Sequence, residues 1–218
     1  MRGCDNITVE QRLYCHRTRR NVMVMEIEAL AGEVEASCSA TVPLIHREEA
    51  TAAGTVDVAF STFAADAAAA GGVTTVSGRT RIPELYGLAP THVGLAYDAV
   101  PRSLALIAGG GPLRFIAAAH TDQEPGLTAA GLAAAAATTL AAAKSAAGEL
   151  MAEHVGGWAE IWRSGIEVEG NETVAEAVNA SLYYIHSAIR ADWPHGLSPG
   201  GLAIDSYDGR SFWGASNA

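Results

Sequence analysis

Residues 92–144 read HVGLAYDAVPRSLALIAGGGPLRFIAAAHTDQEPGLTAAGLAAAAATTLAAAK, and this stretch decides the fold class. Its first part holds three short apolar runs, His92–Val100, Ser103–Ile107 and Leu113–His120. The turn signals Pro101-Arg102 and Gly109-Gly110-Gly111-Pro112 separate them. No helical spacing intervenes, which argues for antiparallel strands and against a βαβ fold. The composition then changes at Thr121-Asp122-Gln123-Glu124-Pro125-Gly126. The alanine run from Ala129 has the highest helix propensity available.

Upstream, the same strand pattern reaches back to residue 6. Thr8–Tyr14 and Asn21–Glu28 interleave apolar and polar residues around the polar turn Arg17–Arg20, which predicts a hairpin. Ala36–Leu44, Thr55–Phe63 and Gly72–Val76 are further strands. Together they predict an antiparallel β-sandwich over 1–121.

Downstream, the alanine run leads into Met151, Val155, Trp158 and Trp162, spaced four, three and four residues apart on one helical face. Gly156-Gly157 weakens that helix, and Ser164-Gly165 ends it. The small alanine side chains suit a linker helix over 122–170 that approaches a neighbour closely. A second helix begins near Asn171, with Thr173 and Glu176 as its capping box. Val174, Val178, Leu182, Ile185 and Ile189 form its apolar face, and Pro194 stops it. The glycine-rich segment that follows gathers His195, Ser198, Tyr207, Asp208, Arg210, Phe212 and Trp213. Aromatic rings and small polar groups around glycines suit the C–H faces and hydroxyls of a sugar.

Composition narrows the function classes. The chain has 218 residues, is 49% hydrophobic and carries a formal net charge of −10. That charge argues against neutralising nucleic-acid phosphates. The alanine-rich stretch is too weakly apolar, and is interrupted by Lys144, to span a membrane. No signal segment is read at the N-terminus, so a cytoplasmic location is expected. Cys4, Cys15 and Cys38 lack metal-ligand spacing and are expected to be buried free thiols.

Few residues suggest chemistry on their own. The seven histidines are scattered without a His-x-x-x-His pair, so no metal is expected. The three glycines at 109–111 suit a hairpin turn better than a phosphate cradle. Ser198 lacks the GxSxG context of a nucleophile elbow. Asp192, Asp205 and Asp208 fall near the sugar-like loop, but turn aspartates are commonly just solvated. Arg12, His16 and Arg17 lie near the first hairpin turn, where a solvated hairpin end is the simpler reading.

Two stretches carry a family resemblance. Val9-Glu10-Gln11-Arg12-Leu13-Tyr14-Cys15-His16-Arg17 is one. The other runs from Trp158-Ala159-Glu160-Ile161-Trp162 through Asn179–Tyr184 and Gly200-Gly201-Leu202 to Tyr207-Asp208-Gly209-Arg210-Ser211-Phe212-Trp213. They resemble glycoside hydrolase family 65, the six-hairpin glycosidases that include acid trehalases, protein-glucosylgalactosylhydroxylysine glucosidases and disaccharide phosphorylases. The resemblance implies an antiparallel β-supersandwich, a helical linker and the first part of an (α/α)6 barrel over 171–218. It implies an inverting α-glucosidase acting on α-glucosyl disaccharides or glucosylated side chains. Phe212, Trp213, Tyr207 and Arg210 would then contact substrate.

The family's next residue after the tryptophan is an aspartate, but here it is Gly214, and Arg210 stands where histidine is usual. The family's general acid is a glutamate far downstream, so no catalytic residue is assigned here and a fragment inactive by itself is expected. A phosphorylase of the same family, with inorganic phosphate as co-substrate, is the alternative. A non-catalytic sandwich that binds carbohydrate or protein is another. No other cofactor is implied, and the resemblance allows a homo-oligomer of the longer protein.

Overall fold

The computed structural model describes residues 7–30, 39–43, 58–66, 72–80, 89–101 and 103–188. Among the described residues, eight strands precede the helices. They are β1 (Val9–Cys15), β2 (Val22–Ala29), β3 (Ser39–Pro43), β4 (Val58–Asp66), β5 (Val73–Thr80), β6 (His92–Asp98), β7 (Ser103–Ile107) and β8 (Leu113–Thr121). A single 3-10 turn, Ala129–Gly131, leads into α1 (Leu132–Ser145), α2 (Leu150–Ile161) and α3 (Glu172–Ala188). The fold is therefore antiparallel β followed by α, as the switch at residues 121–126 predicts.

Six strands form one sheet in the order β1-β2-β8-β6-β5-β4, and β3 pairs with β7 in a second. Every pairing is antiparallel. The first hairpin forms as expected, with Tyr14 opposite Val24 and Arg12 opposite Glu26. The glycine loop at 109–111 is a different turn from the expected hairpin, because β7 and β8 belong to different sheets. It carries the chain from one sheet to the other. Gly109 and Gly111 hold φ of 72° and 81°, which glycine adopts at no steric cost.

Strand alternation divides the side chains of the larger sheet between two apolar clusters. On one face Val22, Val24, Ile116, Ala118 and Ala96 pack with Tyr14 under Ala136, Leu140 and Ala143 of α1 and Leu150 of α2. On the other face, Ile27 and Ala29 of β2 pack against Leu104 and Leu106 of β7. Helix α1 lies close because β6 has a glycine beneath it. A Cβ on Gly94 would stand 2.5 Å from the Leu132 carbonyl carbon.

Two helix details depart from the sequence reading. The break after the alanine run falls at residues 146–149, while Gly156 and Gly157 lie inside α2. Gly148 lies within that break, and Ala146 leaves helical geometry at φ −103°, ψ 17°. At α3 the cap is Asn171, whose Oδ1 accepts a hydrogen bond from Val174 N at 3.1 Å. Thr173 and Glu176 already lie within the helix, so they do not form the expected box.

The chain divides into two compact units, Met1–Arg81 with His92–His154, and Ile82–Thr91 with Val155–Ala218. Among the described residues, no helix is long and apolar enough to cross a membrane.

Candidate functional site

Polar residues of the first unit gather midway along β1 and β2 and at their hairpin turn. Antiparallel register puts Arg12, Glu26 and Arg114 side by side on neighbouring strands. Glu26 is 1% exposed, so its charge needs partners. Arg114 Nε donates to its Oε1 at 2.7 Å, and Arg12 Nη1 lies 3.6 Å from Oε2. The Tyr14 hydroxyl donates to the same carboxylate at 3.4 Å. Burial, followed by the neighbouring Glu26 charge, pushes the Tyr14 phenol up to about 12. Tyr14 therefore remains a donor across the ordinary pH range. The Glu26 carboxylate is thus engaged by two guanidiniums and a phenol.

At the end of the ladder the hairpin turn meets the start of α2. His16 is 2% exposed, which overturns the expectation of a solvated hairpin end. Arg19 N–H donates to His16 Nδ1 at 3.0 Å, so that nitrogen must be unprotonated. His16 Nε2 then carries the proton and donates to the Leu150 carbonyl at 2.9 Å. Arg17 N–H likewise donates to His154 Nδ1 at 3.2 Å. Arg19 grips Glu153 with two bonds, Nε to Oε2 at 2.7 Å and Nη2 to Oε1 at 2.9 Å. Tyr14 and His154 complete the contact with ring centroids 4.6 Å apart.

Burial holds both imidazoles below the usual histidine range. The hydrogen bond from Arg19 holds the Glu153 carboxyl below its ordinary value. Arg12, Tyr14, His16 and the Arg17 backbone thus serve internal contacts. Sequence reasoning missed Glu153 and His154, which lie more than 130 positions from their partners and in no recognised motif.

A cleft of about 550 Å³ opens between the ends of β6 and β8 and the last turn of α1. Asp98, Pro101, Arg114, Phe115 and Lys144 are among its lining residues. Its charges are already engaged. Asp98 accepts hydrogen bonds from Lys144 Nζ and from Ile116 N, and Arg114 is held by Glu26.

The second unit carries an aromatic group. Trp158 stacks on Tyr183 at 5.2 Å and on Trp162 at 6.5 Å, and His186 meets Trp162 edge-on at 6.1 Å. Trp158 of α2 and Trp162, the residue just past its end, are four apart and stack as their spacing predicts.

The predicted substrate contacts Tyr207, Arg210, Phe212 and Trp213 lie outside the described residues, as do Asp192, Asp205, Asp208, His195 and Ser198. Cys15 is exposed, contrary to the expected burial, because its position in β1 faces solvent; Cys4 and Cys38 lie outside the described residues.

Comparison with known proteins bears on the family resemblance. No protein-family model matches the chain. It is 54% identical over 67 residues to the protein-glucosylgalactosylhydroxylysine glucosidase of Dictyostelium discoideum, covering 31% of this chain and 9% of that one. It is 34% identical over 64 residues to the kojibiose hydrolase of Mucilaginibacter mallensis, 29% of this chain and 10% of that one. A longer match, 29% identity over 148 residues, links it to the protein-glucosylgalactosylhydroxylysine glucosidase of Gallus gallus, with 64% of this chain and 20% of that one. The matches span a tenth to a fifth of these relatives' length. Over part of its length, the chain is similar to glycosidases that act on glucosyl linkages.

Proposed function

We propose that this chain is the sandwich, linker and first barrel segment of an inverting α-glucosidase resembling family 65. The observation that carries the reading is the 54% identity over 67 residues to a glucosidase. The β-then-α order and the filled hairpin motif support it. On this reading residues 1–121 form the sandwich domain, 122–170 the linker and 171–218 the start of an (α/α)6 barrel. The substrate is an α-glucosyl disaccharide or a glucosylated hydroxylysine side chain. Phe212, Trp213, Tyr207 and Arg210 contact the sugar, and water attacks the anomeric carbon without a cofactor.

Inverting hydrolysis needs one carboxylic acid to protonate the leaving oxygen and a second carboxylate to activate water. Among the described residues, the carboxylates Glu26, Glu153 and Asp98 are each held by a cation. On this reading the general acid comes from a longer chain, and the 218 residues release no glucose alone. In such a chain, further barrel helices would cover the apolar face of α3.

The test is glucose release from kojibiose and from glucosylgalactosyl-hydroxylysine. It compares the 218-residue chain with the longest product of the same gene in its source cells. The expected result is release by the longer product only. Release by the 218 residues alone would sink the fragment reading. A longer product that releases no glucose, with or without phosphate, would sink the glycosidase reading.

A further inference from the structure

The geometry points to a proton-sensitive clasp between the β1–β2 turn and the first turn of α2, opened by protonation of His16 and His154. Each imidazole presents Nδ1 to a backbone N–H, from Arg19 in one case and from Arg17 in the other. A backbone amide can only donate, so neither contact survives a proton on Nδ1. Side-chain partners could rotate or exchange roles, but these cannot. The rings are also neighbours, with centroids 5.8 Å apart, so charging one opposes charging the other. His16 has no exit to water, its side chain being fully buried.

The surrounding charges do not cancel this preference. From the turn, Thr18 Oγ1 adds a donor 3.3 Å from His16 Nδ1, and the Arg19 guanidinium disfavours a second cation. Arg17 and Arg20 add positive charge to the same turn. From β1, Tyr14 faces both rings with a neutral phenol. From α2, Glu153 lies 3.7 Å from His16 Nε2, but Arg19 already binds it. Glu149, just before α2, also acts on Arg19. On the far flank of the turn, Glu124 and His120 bind one another and Asn21.

The sign follows from which state takes up protons. The undocked imidazoles have the ordinary value near 6.5, and the docked ones lie lower for lack of solvation. The clasp is therefore at full strength above about pH 6.5 and weakens as pH falls below it. Each imidazole contributes up to about tenfold per pH unit, until its docked value is reached.

The experiment is amide hydrogen exchange by NMR on the 218-residue chain, corrected for intrinsic rates, between pH 7.5 and 5.5. Protection of the Arg17 and Arg19 amides is expected to fall by about tenfold or more. The strand amide of Ala96 should hold. In His154→Asn, the side-chain oxygen replaces Nδ1 as an acceptor that does not titrate, so the steepness should drop by about half. Imidazole nitrogen shifts of the unmutated chain give an independent reading, with Nδ1 unprotonated in both rings at pH 7.5. Flat protection, a parallel loss at Ala96, or a proton on either Nδ1 would overturn the clasp.

Discussion

Helix α1 buries Leu132, Ala136, Leu140 and Ala143 to 1% exposure or less, whereas α3 leaves Val174 at 45% and Ile185 at 37%. The α3 pattern of Val174, Val178, Leu182 and Ile185 is a strong amphipathic stripe, and α1 is mostly alanine. What separates them is the surface each meets. Helix α1 lies over a sheet that offers Gly94, Ala96 and Ala118, so backbone and small side chains approach closely and pack at interior density. A narrow stripe is then enough. Helix α3 has no buried residue among those described.

Three substitutions sharpen this contrast. Leu140→Ala removes a side chain at 1% exposure from a packed layer and should cost about 2–5 kcal/mol in urea unfolding. Loss of less than about 1 kcal/mol would mean the α1 layer is loose. Gly94→Ala comes next. Its Cβ would meet Leu132 and Ala133 backbone atoms at 2.5 and 2.7 Å, so α1 must shift, at a cost of about 1–3 kcal/mol. An unchanged urea midpoint would show that α1 does not sit directly on β6. Val174→Ala on α3 should move stability by only about 0.5 kcal/mol in either direction. A larger loss would reveal a covered face, and with it a contact that the exposure of Val174 does not suggest.

The eight strands of the described residues were legible from apolar runs and turn residues, and so were two helical stretches, of which the first is split into α1 and α2. What failed was local detail decided by partners. Gly156-Gly157 reads as a break, yet the helix continues through it, because each glycine costs only about 1 kcal/mol in a helix interior. The cap moved from Thr173 to Asn171, since one well-placed side-chain oxygen is enough to start the helix. The glycine loop at 109–111 was visible as a turn. Its crossing between sheets was not, because strand order depends on pairing across the chain.

The hairpin turn shows the same division most sharply. From sequence, Arg12, His16 and Arg17 read as a solvated end, because charged residues at a turn usually are. In the fold, the Leu150 carbonyl, Glu153 and His154 arrive from over a hundred residues away and bury the imidazole.

The sequence by itself determined the order of strands and helices, the helical face of Trp158 and Trp162, and the resemblance to α-glucoside-cleaving enzymes. These rest on periodicity, turn chemistry and motif residues, all properties of neighbours along the chain. Only the tertiary structure decided which helix is sealed, how the sheets divide the strands, and that His16 and His154 each accept a backbone proton. Burial and hydrogen-bond direction are set by groups distant in sequence, and those groups acquire their positions only when the chain folds.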